Sequence, residues 1–155
     1  MEHRFIADTM LGKLARWLSH LGYDIIYKPC DSDADLLKEA AATERTILTR
    51  DTRLVEEKPD NAHLIHSTIL WEQLKEMLDA FPIDVKKTLF TRCSRCNTPV
   101  ERIEKSEVKD RLPPLVHQTQ KTIYKCPGCG HLYWPATHVD HVKQLLKEKL
   151  GIDVG

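Results

Sequence analysis

The sequence predicts an α/β protein: a parallel sheet covered by helices, followed by a small ribbon held by metal. Three observations lead there. Over the first 80 residues short apolar runs alternate with helical patterns, and strand–helix alternation with short connections argues for parallel pairing. After FPID (residues 81–84) the texture changes to short β-like runs. In that second part lie two CxxC pairs, Cys93/Cys96 and Cys126/Cys129.

The elements follow in order. RFIAD reads as a strand closed by Asp8. MLGKLARWLSHLG reads as a helix with Leu11, Leu14, Ala15, Leu18 and Leu21 on one face and Gly22 as its stop. YDIIY (23–27) is a second strand. Ser32 or Asp33 caps the helix containing LLKEAAA. TILT (46–49) is a third strand, TRLVEEK a short helix or turn, AHLIH (62–66) a fourth strand, and LWEQLKEMLDAF a closing helix. Domain boundaries are expected at 1–84 and 85–155. The second unit holds the runs TPVERI, KTIYKC and HLYWP, a turn at Pro113–Pro114 and a last helix near 137–150.

Four thiolates suit a tetrahedral zinc ion, and a tight CxxC turn points two of them at one metal. Pro127, Gly128 and Gly130 suit such turns. The 29 residues between the pairs exceed the commonest spacing, but a longer inserted loop costs little. The expected role of the zinc is structural, since four thiolates leave no position open for water or substrate. Cys30 stands apart and reads as a plain thiol. His117, His131, His138 and His141 read as surface or packing residues.

Composition narrows the class. No apolar run approaches the roughly 20 residues that cross a bilayer, and MEHRFIAD is too polar for a signal peptide, so a cytoplasmic protein with no membrane partner is expected. The net charge is zero, but residues 1–88 carry 12 basic and 16 acidic side chains and residues 89–155 carry 11 and 7, a split of −4 against +4. The second part is therefore the better surface for a nucleic acid.

In the first part Asp8, Asp33 and Asp51 sit where a strand ends or a helix begins, and the C-terminal ends of parallel strands form the functional crevice. Converging carboxylates suit Mg²⁺ or Mn²⁺, which supports phosphodiester chemistry. For Asp33 and Asp51 taken singly, a helix cap or solvated turn is an equal reading. Asp31 and Asp35 flank Asp33, and the sequence leaves open which of them points inward. Lys13, Arg16 and His20 share the polar face of the first helix, and Arg50 and Arg53 flank Asp51; Lys13, Arg16, Arg50 and Arg53, with Arg92 and Arg95, are candidate phosphate contacts.

The segments FIADTMLGKLARWLSHLGYD, DSDADLLKEA, TILTRDTRL, FTRCSRCNTPV, KDRLPP and CPGCGHLYWPATH, in that order, resemble the Mut7-C family. The resemblance implies a PIN-like three-layer α/β/α ribonuclease domain followed by a four-cysteine zinc ribbon, with metal-dependent cleavage of RNA. It assigns Asp8, Asp33 and Asp51 as catalytic ligands of Mg²⁺ or Mn²⁺, and Cys93, Cys96, Cys126 and Cys129 as ribbon ligands. It also raises a homodimer and a ribonucleoprotein partner. Many PIN-like proteins place another acid shortly after the third aspartate; here position 53 is Arg, which leaves one-metal and two-metal chemistry both open. A non-catalytic RNA-binding or ribonucleoprotein-interaction module is the alternative reading.

Overall fold

The computed structural model describes residues 3–30, 32–135 and 137–155, without the side chains of Thr137 and His138. Four strands, β1 (Arg4–Ala7), β2 (Asp24–Tyr27), β3 (Thr46–Thr49) and β4 (Ala62–Leu64), form one parallel sheet in the order β2-β1-β3-β4. The register sets Ile6 beside Ile26 and Ile47, and Ala7 beside Tyr27 and Leu48.

Strand alternation then divides the core between two faces. Phe5, Ala7, Ile25 and Leu48 pack with α1 (Gly12–Leu21) and α4 (Leu70–Ala80). Ile6 and Ile47 pack on the other face with Leu36 and Ala40 of α2 (Asp33–Thr43) and Leu54 of α3 (Thr52–Glu57). The result is the expected three-layer α/β/α arrangement. The apolar face read for α1 is the one that is buried, and full burial of a leucine such as Leu18 is worth about 1.5–3 kcal/mol. Gly22 ends this helix at φ 102°, where a Cβ would also come within 2.5 Å of Thr88. Both facts require glycine.

Beyond α4 comes a single turn, α5 (Val85–Thr88), capped by Asp84. An antiparallel sheet follows, β5 (Glu101–Ile103), β6 (Ile123–Lys125) and β7 (Leu132–Tyr133), in sequential order. The connection from β5 to β6 contains a 3₁₀ segment, Lys105–Arg111, and α6 (Pro114–Thr119). The expected turn at Pro113–Pro114 is instead the start of α6: Pro114 is its first residue, where a missing N–H costs nothing and the fixed φ suits a helix. Val108 and Leu112 of this insert pack on Ile123 and Leu132. The last helix, α7 (Thr137–Leu150), returns to the first sheet and buries Val142 and Leu146 in the core of α1 and α4.

Asn97 is central to the contact between the two sheets. Asn97 follows the second cysteine of the first pair, at φ 67°, a left-handed conformation that asparagine tolerates. Its Oδ1 accepts from the Ile25 amide (2.9 Å), and its Nδ2 donates to Tyr23 O (2.8 Å) and Ser19 Oγ (2.9 Å). Ser19 in turn donates to Cys93 O (3.1 Å). Asn97 is 7% exposed, so these bonds form out of water. Around them Arg92 donates to Asn97 O and Oδ1, and Asp24 is reached by Arg45 at 2.7 Å and by Arg92 at 3.9 Å. Asn97→Ala leaves a buried amide, a carbonyl and a hydroxyl without their partner, so unfolding free energy in urea is expected to fall by about 2–4 kcal/mol.

Candidate functional site

The C-terminal end of the parallel sheet gathers the acids. Asp8 continues the ladder by donating its amide to Leu48 O (2.9 Å). Its Oδ1 accepts from Thr9 N (2.7 Å) and starts a 3₁₀ turn, Thr9–Leu11; its Oδ2 accepts from Thr49 Oγ1 (2.8 Å). The Thr49 hydroxyl, wholly buried, also accepts from the Asp51 amide (3.0 Å). Asp51 caps α3 by accepting from Arg53 N (2.9 Å). One hydroxyl thus ties the carboxylate of Asp8, just after β1, to the main-chain amide of Asp51, after β3. Asp33 lies apart, exposed in the first turn of α2, where Ser32 caps the helix through Asp35 N (3.2 Å). Asp31 lies outside the described residues, as does the side chain of His138.

Among the described residues, the four cysteines are the one group of three or more His, Cys, Asp or Glu side chains close enough to share an ion. The three aspartates do not form such a group. Of the cationic candidates, Lys13, Arg16, Arg53 and Arg95 are exposed. Arg50 is half-buried and donates to His66 O (3.3 Å). Arg92 is drawn into the contact with Asn97 and Asp24, and His20 packs edge-on against Trp17 and Phe90.

Just past β4, at the same end of the sheet, Glu76 of α4 closes a corner. Its carboxylate accepts from His66 N (2.9 Å) and Ser67 N (3.1 Å) and meets His66 Nδ1 at 2.8 Å. Burial pulls its pKa up, but those amides and the imidazole outweigh burial and hold it below the ordinary range.

The cysteine site is built from two similar turns. Asn97 N donates to Cys93 O (2.9 Å) and Gly130 N to Cys126 O (2.8 Å). Asn97 and Gly130, each just after the second cysteine of its pair, are both left-handed. Cys93 and Cys126 face the fold, while Cys96 and Cys129 are exposed. All four sulfurs lie within 4.8 Å of one another, with Cys93–Cys129 at 3.6 Å and Cys96–Cys126 at 3.3 Å. A zinc ion about 2.3 Å from each sulfur spaces them by about 3.8 Å, so the donor set fits it.

The thiols are not equivalent. Burial raises Cys96, but the Thr98 hydroxyl and amide and the neighbouring sulfurs bring it down to about 6. Burial pushes Cys126 up to about 11. A bound divalent ion deprotonates its thiol ligands outright. Nearby, burial and then the charges of Arg95 and Arg111 lower the pKa of His131.

Sequence reasoning missed Thr49, Asn97 and Glu76. Each had a faint signal: a hydroxyl one residue after the apolar Ile47–Leu48 pair, a left-handed-tolerant residue after a knuckle cysteine, and an acid on the α4 face nearest the β4 end.

The family model described as Mut7-C RNAse domain matches residues 3–146. No curated protein matches the chain. Among the described residues no helix is long and apolar enough to cross a membrane.

Three outcomes are expected. Purified protein carries one zinc per chain by atomic absorption, and Cys93→Ser speeds hydrogen exchange of the Ile25 amide, which Asn97 protects only while the turn is held. Glu76→Gln lowers stability at pH 7 by about 1–3 kcal/mol. Because the Glu76 pKa is depressed in the fold, its contribution is complete above the ordinary glutamate range. The gap between variant and wild type therefore closes as pH falls through the depressed value, as acid titration of unfolding will read.

Proposed function

The chain belongs to the Mut7-C RNAse domain family, and from that membership we propose that it is a metal-dependent ribonuclease. It hydrolyses RNA phosphodiester bonds at the acidic strand ends, while the zinc ribbon assists RNA binding. The observation that carries this reading is at the ends of adjacent parallel strands: the buried Thr49 hydroxyl donates to the Asp8 carboxylate and accepts from the Asp51 main-chain amide, while Arg53 N holds Asp51 Oδ1. Two carboxylates held in fixed directions are a donor set for a hard cation.

Asp8, Asp51 and, from the start of α2, Asp33 are the residues that would hold Mg²⁺ or Mn²⁺. Such an ion supplies positive charge to the phosphodiester and makes a bound water more acidic. The chain's own work is positional. Thr49 and the Thr9 amide each take one Asp8 oxygen and so fix the plane of that carboxylate. The buried core beneath keeps β1 and β3 in register. Preorganised charge of this kind is what lowers barriers at such sites.

A second reading, a non-catalytic RNA-binding or ribonucleoprotein-interaction module, is favoured by Asp33, which stands exposed and outside any shared group with Asp8 and Asp51, and by Arg53 where a further acid is common in PIN-like proteins.

The test uses zinc-loaded protein depleted of Mg²⁺ and Mn²⁺, with a labelled single-stranded RNA. Adding Mn²⁺ is expected to start cleavage, and Asp8→Asn is expected to abolish it while thermal unfolding is unchanged. Thr49→Val, which frees the Asp8 carboxylate to turn, lowers kcat by about 10- to 100-fold, and Thr49→Ser restores it. Cleavage that survives Asp8→Asn removes this site from the mechanism.

A further inference from the structure

A cleft of about 600 Å³ runs along the joint between α1, the outer edge of β2 and the first cysteine turn. Gly12, Arg16, Tyr27, Ser94, Arg95 and His131 are among the residues that line it. Arg16 and Arg95, 79 positions apart in the chain, come from different sheets' elements and meet in one cleft. The chain as a whole has as many acidic as basic side chains, yet among the described residues no carboxylate lines this cleft. Its volume lies in the range of sites that enclose small ligands, about 300–1,000 Å³.

Tyr27, on the wall of the cleft, is linked to Asp8 through Thr9. Tyr27 donates its hydroxyl to Thr9 O (2.6 Å), and the amide of the same Thr9 donates to Asp8 Oδ1. The Tyr27 ring is 42% exposed. It lies against Gly12, where even a methyl group would come within 3.1 Å of the ring. The ring is therefore held from its hydroxyl and from beneath, and is open to solvent on its remaining surface. A fixed aromatic surface beside two arginines is the combination that holds a single strand: bases stack on the ring and phosphates meet the guanidinium groups.

We propose that this junction cleft is the path by which a single RNA strand reaches the acidic strand ends, with Arg16 and Arg95 on its phosphates and Tyr27 beneath a base. The inference rests on the ribonuclease reading for its destination, but its binding chemistry stands independently of cleavage. It assigns the ribbon a role that needs both sheets at once, since neither Arg16 nor Arg95 forms the cleft alone.

The test measures binding of a fluorescein-labelled ten-nucleotide oligouridine to full-length, zinc-loaded protein by anisotropy, without Mg²⁺ or Mn²⁺. The Arg16→Ala/Arg95→Ala pair is expected to bind about tenfold more weakly, and the slope of log affinity against log salt is expected to drop by about 1.4, the loss of two single-strand phosphate contacts. Tyr27→Leu weakens binding about tenfold and Tyr27→Phe does not. Arg102→Ala/Lys109→Ala, exposed on the ribbon outside the cleft, leaves it within twofold. Zinc content and circular dichroism establish that each variant is folded, and Arg16→Ala alone, remote in sequence from the cysteines, repeats the test without touching the metal turn.

Wild-type affinity in the cleft variants, a loss carried by the control pair instead, preference for duplex RNA, or no binding by the wild type each overturns the proposal. The two readings separate cleanly. Cleavage that depends on Asp8 with unchanged binding in the cleft variants removes only the cleft. Lost binding in those variants with cleavage indifferent to Asp8 removes only the nuclease.

Discussion

Three hydrogen bonds from the Asn97 side chain hold the ribbon against the parallel sheet, and what the second half of the chain contributes depends on them. β2 is the outermost strand of its sheet, so the outward amide of Ile25 has no strand to pair with. An exposed edge of that kind invites pairing with another chain. Here a side chain takes the amide, and the turn carrying that side chain covers the edge. The same turn presents Cys93 and Cys96 to the metal. Metal, edge protection and the relation of the two sheets are thus one structural unit. An ion that is lost from the cysteines loosens the turn, and a loosened turn uncovers the edge.

That coupling bears on the stability of a small module. Among the described residues the ribbon's own core buries Val108, Leu112, Ile123 and Leu132, with Ile103, Val116 and Trp134 partly buried against them, a small apolar surface to hold three short strands in water. Two outside supports make up the difference: the four cysteines on one side, and α7 on the other. Since α7 sends Val142 and Leu146 into the core of the first sheet, the chain leaves that core after α5 and comes back to it at its end. The ribbon is closed at both ends by the domain it serves.

The sequence made the elements legible where a single period governs them. α1 shows its buried face as Leu11, Leu14, Ala15, Leu18 and Leu21, and the parallel strands show as short apolar runs, because both patterns are local. The cysteine ligands were legible for the same reason, two residues apart within each turn. The joint was not. Asn97 reaches Ile25, Tyr23 and Ser19 across 72, 74 and 78 residues, and no local pattern reports a contact at that range. Arg92 read as a candidate phosphate contact for the same reason, while its partners Asp24 and Asn97 are supplied by the fold. The start of α6 at Pro114 was misread because Pro-Pro signals a turn and a helix N-terminus equally well. At the acidic end, the strand termini of Asp8 and Asp51 were legible, but the Thr49 hydroxyl between them was not, since a threonine in a strand is ordinarily a matter of β propensity.

Charge explains why the two halves need a rigid joint. Acids at the end of a sheet repel a phosphodiester, and the first 88 residues carry a balance of −4. The remaining residues carry +4; four thiolates around a zinc ion take off about 2 charges, and the surplus that is left attracts the same polyanion. On the proposed reading, a flexible tether would let those two tendencies keep an RNA on the ribbon and away from the acids, because the attraction and the proposed reaction site would move independently. With Asn97 fixing one against the other, Arg95 of the ribbon is held in the same cleft as Arg16 of α1, at the residue pair Tyr27–Thr9 that adjoins Asp8. In the proposed ribonuclease the attraction would then act in a fixed direction, and the free energy of binding phosphate on one sheet would position the strand on the other.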